Sequence, residues 1–123
     1  MEDETLLLFD MASICNRLLA IRDRISLAVL EADGDHVWMI SYGILALGGA
    51  AARIERADRG YLARTVSSTI PWSDVIGTRN ILAHGYDIVD PLTLWRFLER
   101  DIPDMSQALE TALQATRKDT PSP

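Results

Sequence analysis

Along the first thirty residues, apolar side chains recur at Leu7, Ile14, Leu18, Ile21, Ile25 and Val29, at spacings of three, four and seven. That period lays one apolar stripe along a helix, so a first helix is predicted from about Thr5 to Glu31. Asp33-Gly34-Asp35 breaks the pattern. A second helix follows from about His36 to Arg56, and its middle, Gly43 to Ala52, is made largely of small residues. Glycine costs about 1 kcal/mol relative to alanine in a helix. Small side chains offset that where another backbone comes close, so this stretch predicts a tight helix contact, within the subunit or across a dimer. Residues 57–70 lose the periodicity. A short helix near Tyr61–Val66 is expected there, and an extended reading stays open for Thr65–Thr69 because Thr, Val and Ser disfavour helix.

Pro71-Trp72-Ser73-Asp74 reads as a helix start, with Ser73 as the cap and Asp74 complementing the positive end of the dipole. The third helix should cover about Asp74 to His84, with Gly85 as the left-handed residue that ends it. Asp90-Pro91 opens a fourth, Asp90 capping and Pro91 in the first turn. Pro103 should kink or split it. From Thr116 the chain turns polar and ends Pro-Ser-Pro, which predicts fraying. The fold class expected is all-α: one domain over residues 1–115, an up-and-down bundle of four to five helices, followed by a frayed tail over 116–123.

Composition adjusts this picture little. Hydrophobic residues make up 48% and charged residues 24%, ordinary for a globular chain. No uninterrupted apolar run approaches the roughly 18 residues that cross a bilayer. The start, Met1-Glu2-Asp3-Glu4, is acidic where a secretory signal would be basic, so a cytoplasmic location without membrane contact is expected. A single cysteine excludes an internal disulfide, and Cys15, inside an apolar helical pattern, reads as a small buried thiol. Two histidines and one cysteine, far apart, give no zinc-like spacing, so neither metal nor cofactor is expected. Trp38, Trp72 and Trp95 read as core anchors, His36 as exposed or capping, and Tyr61 as a loop-side aromatic.

Charge matters more. The net charge of −6 argues against a general nucleic-acid binder, because phosphate contacts need cations. Between residues 53 and 79, however, Arg53, Arg56, Arg59, Arg64 and Arg79 outnumber Glu55, Asp58 and Asp74, and both flanks are acidic. A locally basic stretch of this kind suits RNA contact as well as a solvated helix face.

The stretch with the most chemistry is Arg79-Asn80-Ile81-Leu82-Ala83-His84-Gly85-Tyr86. Asn80 and His84 are one helical turn apart. A histidine at a helix C-terminus feels the negative dipole end, which favours imidazolium, and can donate or accept a proton. Arg79 keeps its charge and can stabilise the negative charge that develops in phosphoryl transfer. RNA carries its own nucleophile, the 2′-hydroxyl, so a base, an acid and a cation suffice for strand cleavage. The same residue types also suit a helix-capping histidine beside a surface ion pair.

The segment from Ile70 through Tyr86, with its Pro71-Trp72 start, its Arg79-Asn80 pair and its His84-x-Tyr86, resembles the HepT-like family of the HEPN ribonuclease superfamily. The likeness continues through Val89-Asp90, Leu94-Trp95 and Asp101-Ile102-Pro103, and reaches back to Asp10 and to the small-residue helix. It implies an all-helical homodimer with two motifs facing each other, acting as the toxin of a type VII toxin–antitoxin pair. It implies metal-independent endonucleolytic cleavage of RNA that leaves a 2′,3′-cyclic phosphate, with Arg79, His84 and Asn80 as catalytic residues. It also implies that Tyr86 accepts AMP from a partner, a minimal MntA-like nucleotidyltransferase acting as antitoxin. One departure stands out: Leu47-Gly48-Gly49-Ala50 lies where the family usually carries Ile-Gly-Glu-Ala, so Gly49 replaces a glutamate. The departure and the acidic net charge leave a second reading open, a non-enzymatic binding or scaffold subunit of the nucleotidyltransferase.

Overall fold

A computed structural model of the chain describes residues 4–85 and 90–119, with the backbone alone for 80–85 and 117–119. The described residues form helices and no strand: α1 (Glu4–Arg24), α2 (Leu27–Ala32), α3 (Gly34–Ala57), α4 (Tyr61–Thr65), α5 (Trp72–Gly85), α6 (Pro91–Arg96) and α7 (Ile102–Asp119), with a π-helical turn at Phe97–Asp101. The all-α bundle expected from the periodicity is therefore what forms. α1 packs on α3 and on α7, and α5 packs on α3, the most extensive of these pairings.

The first predicted helix is two helices. Ser26 caps α2, its hydroxyl accepting from the Val29 amide at 3.2 Å. The reason lies in which side chains go inside. Ile21 and Leu30 are both buried while Val29 is 40% exposed. Nine residues is two and a half helical turns, so an unbroken helix would put Ile21 and Leu30 on opposite faces. Breaking at Ser26 lets both enter one core.

The junction at Asp33 is tighter than the expected break. Asp33 caps α3, one carboxylate oxygen accepting from the Asp35 amide at 2.9 Å and the other lying 2.8 Å from His36 Nδ1. The Asp35 amide first, and then the His36 ring, hold the Asp33 carboxyl below its ordinary range. His36 is thus a partner of the cap.

α3 is the central element. Ile40, Ile44, Leu47, Gly48, Ala51 and Ile54 are buried, and Leu47 and Ile54 have no exposed surface. Burying one such aliphatic side chain contributes about 1.5–3 kcal/mol. An 18-residue window of α3 has a mean hydropathy of 1.4, so by length and composition alone this helix could cross a membrane; half of that window is buried inside the molecule. Trp38, near its start, is 62% exposed and is not a core anchor. It sits two residues before Ile40, off the buried stripe. Trp72 is buried and Trp95 packs partly buried against the core, as expected.

Asp90 caps α6 through the Leu92 amide at 3.2 Å, with Pro91 in the first turn. The split predicted from Pro103 takes the form of the π-helical turn, in which the Ile102 amide reaches back to the Phe97 carbonyl. Proline has no amide to continue the ladder, and the wider turn directly before it absorbs the missing bond. α7 runs to Asp119, and residues 120–123 lie outside the described residues.

Candidate active site

α5 carries the motif, and the loop before it fixes where the helix starts. Ser67 and Thr69 close a small turn, the Thr69 amide donating to Ser67 Oγ at 3.2 Å. The buried Trp72 donates its indole N–H to the Ser67 carbonyl at 2.9 Å. The Pro71 carbonyl accepts from the Asp74 and Val75 amides at 3.0 and 3.1 Å. The helix therefore opens at Trp72, and Ser73 lies inside its first turn instead of capping it. The indole tether sets that register. Asp74 is in the first turn as expected.

Arg79 is half-buried on α5. What places it is Gly48 on α3. A Cβ at Gly48 would stand 2.9 Å from the Val75 carbonyl oxygen, 3.3 Å from Arg79 Cβ and 3.6 Å from the Ile76 carbonyl oxygen. The two backbones meet at this glycine, so the small-residue stretch of α3 makes its close contact within the subunit. Gly49, one residue on, is different: among the described residues a Cβ there would meet nothing within 4 Å. Among the described residues, nothing occupies the space that the glutamate expected from the resemblance would enter.

Asn80 and His84 share α5 with Arg79, which puts the three proposed catalytic residues on one helix. Their side chains lie outside the described residues, and so does Tyr86 altogether. α5 extends to Gly85; the residues that would show how it ends, 86–89, are not among those described. Asp10 is exposed on α1.

Of the arginines in the basic stretch, Arg64 is held. It contacts Asp58 at 2.9 and 3.0 Å and donates to the Arg59 carbonyl at 2.9 Å. Glu55 accepts from the Gly60 and Leu62 amides, both at 3.1 Å, and so fixes the start of α4. Gly60 takes the left-handed φ of +86° that this corner requires. Tyr61, directly after it, packs partly buried against the core.

A cavity of about 380 Å³ lies beside α5, between its first turns and the start of α7. Asp74, Asp101 and Asp104 line it together with Thr78. Burial, with Asp104 adding to it, raises the Asp101 carboxyl above its ordinary range. Three carboxylates repel phosphate, so this cavity is poorly suited to a nucleic-acid backbone. A residue the sequence did not single out is Ser41: among the described residues its buried hydroxyl has no hydrogen-bond partner, and it lies seven residues before Gly48 on the same face of α3. One polar residue in an apolar run was its only signal.

Comparison with known proteins fits this arrangement. A Methanocaldococcus jannaschii protein, "Putative RNase MJ1380", is 37% identical over 41 residues, which span 33% of this chain and 38% of that protein. The chain thus matches well under half of that relative's length. No solved structure matches. The family model described as "Ribonuclease HepT-like" matches residues 11–112, from within α1 to beyond the middle of α7 and including all of α5. Nearly the whole helical bundle is accounted for by that match, and the chain belongs to the HepT-like ribonuclease family.

Proposed function

We propose that this chain is a metal-independent endoribonuclease acting as the toxin of a type VII toxin–antitoxin pair. The observation that carries the reading is the family match over residues 11–112, which includes the one helix on which Arg79, Asn80 and His84 lie. In this reading the chain works in the cytoplasm as a homodimer, and two copies of α5 face each other across RNA.

The chemistry follows from the residue types. A neutral His84 accepts the proton of the 2′-hydroxyl as the 2′-oxygen bonds to phosphorus. The 5′-oxygen leaves and takes a proton from an imidazolium, the His84 of the second copy. The products are a 2′,3′-cyclic phosphate and a 5′-hydroxyl, and the electron count closes without a metal. Arg79 pairs with the phosphate oxygens on which charge grows, its Cβ lying beside Gly48 where α5 meets α3. Asn80 supplies a neutral donor and acceptor within the same motif. Tyr86 is the site at which an MntA-like nucleotidyltransferase attaches AMP. Phosphates added next to Arg79 would fill the substrate's anion site and repel RNA.

The test is RNA cleavage in EDTA by wild type, Arg79→Ala and His84→Ala, each checked for helicity by circular dichroism. Loss of a general acid–base should reduce the rate by about 10²–10⁴-fold, and loss of the charge-stabilising donor by about 10²–10³-fold. No cleavage by wild type, with Tyr86 shown free of AMP by mass spectrometry, would support the scaffold-subunit reading instead.

A further inference from the structure

The buried face of α1 holds Leu7, Leu8, Met11, Cys15 and Leu18. On the opposite face a second row repeats every three or four residues: Leu6, Asp10, Ser13, Arg17, Ala20 and Arg24, all exposed. Leu6 is 60% exposed, and Phe9 beside it 51%. The row is polarised, with the acid in its first half and both arginines in its second. Among the described residues Asp10, Arg17 and Arg24 form no ion pair.

Beside the basic half, a groove of about 280 Å³ runs between α1 and α3, lined by Arg17, Ile21 and Arg24 and by Met39 and Tyr42. Tyr42 is 73% exposed. At 100° per residue, Met39, Tyr42 and Ala46 point away from the side of α3 that bears Gly48. The groove is therefore on the far side of α3 from α5 and Arg79.

We infer that this face binds a second copy of the chain, the two α1 helices packing antiparallel about a two-fold axis near Ser13. Asp10 and Arg17 lie three and four residues to either side of Ser13, so each Asp10 falls opposite the other copy's Arg17. Ser13 and Ala20 are small enough to let the backbones approach, and the Ser13 hydroxyl, which both donates and accepts, suits a position near the axis. Leu6 then reaches the second half of the opposing helix, where Ile21, Met39 and Tyr42 line the groove. The same patch serves both copies, which is the requirement of a closed two-fold interface. Parallel packing would set arginine against arginine; only the antiparallel pairing matches opposite charges. Self-association of a chain with net charge −6 is opposed overall, so a local match of this kind is needed to favour it. Because it lies on the far side of α3 from Arg79, the interface is additional to the one proposed for catalysis and does not depend on it.

The test is the molar mass of the full chain by sedimentation equilibrium for wild type, Asp10→Arg, Arg17→Asp and the double variant Asp10→Arg/Arg17→Asp. Each single variant should show half the wild-type mass with unchanged circular dichroism, and the double variant should regain it. Independently, Ser13→Cys should form a disulfide-linked dimer on mild oxidation. Unchanged mass in both single variants, or no cross-link through Ser13→Cys, overturns the inference. RNA seated on the arginines instead would weaken RNA binding in Arg17→Asp, strengthen it in Asp10→Arg and leave the mass unchanged, which also overturns it. None of these outcomes depends on RNA cleavage, so they stand apart from the test of catalysis.

Discussion

Gly49 and Cys15 make opposite demands on their surroundings, and both can be checked with single substitutions. Gly49 lies inside α3, and among the described residues a Cβ there meets nothing within 4 Å. Gly49→Ala should therefore stabilise the protein by about 0.5–1 kcal/mol, the helix-interior difference between the two residues. A urea midpoint that falls instead would mean that the space is occupied in solution. Gly49→Glu should fold equally well, and if the family's carboxylate orients the motif arginine, RNA cleavage should rise. Cys15 has no exposed surface, and burial raises its thiol to about 12. It should resist an aromatic disulfide reagent at pH 8 until the protein unfolds. A raised acid favours its protonated form in the folded state, so its contribution is fully present below the thiol's unfolded value. That contribution is lost as pH rises toward about 12. Unfolding midpoints measured from pH 8 upward should therefore decline, and Cys15→Ala should flatten the decline. Here the sequence was legible, because a lone cysteine in an apolar helical row has few places to go.

At the scale of elements, what the sequence conveyed was where helices exist, and what it hid was how they break and meet. Period and punctuation located α3, α5, α6 and α7, because each depends on local signals: apolar spacing, Asp90 before Pro91, a proline at 103. The break at Ser26 was hidden because it follows from two distant residues, Ile21 and Leu30, needing the same core. The start of α5 was shifted by a tether from Trp72 to the Ser67 carbonyl that no local rule contains. The two close glycines of α3 show why a small-residue stretch cannot be read further without partners. A Cβ at Gly43 would come within 2.8 Å of Leu18, at the end of a flexible side chain. One at Gly48 would come within 2.9 Å of the backbone carbonyl of Val75, which moves only if α5 moves. Gly43→Ala should therefore be nearly neutral, whereas Gly48→Ala should lose about 1–3 kcal/mol as an overpacked contact. Under the proposed function, Gly48→Ala should also slow RNA cleavage, since Arg79 Cβ shares that contact. Thermal melts of the two variants side by side check the contrast, and equal melting temperatures would show that α5 yields freely.

For the whole molecule, the arrangement separates two faces of α3. One side holds α5 and the proposed chemistry; the other, with α1, bears the exposed charged row. Under the proposed function, that separation would let association on one face persist while the other is switched. The carboxylate-lined cavity beside α5 adds a constraint, because phosphate is disfavoured there; under the proposed function, RNA would bind on the Arg79 side instead. Under the proposed function the switch is chemical: AMP on the Tyr86 hydroxyl blocks the anion site that Arg79 serves. Tyr86→Phe removes only the acceptor oxygen and keeps the ring. The variant should cleave RNA within about tenfold of wild type, since no general acid–base group is lost. Co-expression with the MntA-like nucleotidyltransferase should silence wild type and leave Tyr86→Phe toxic, and mass spectrometry should find AMP on wild type alone. If the nucleotidyltransferase silences both equally, neutralisation works by masking the surface and Tyr86 has no part in it. If Tyr86→Phe is inactive on its own while folded, the phenol contacts substrate, and its modification would be inhibitory for that reason as well.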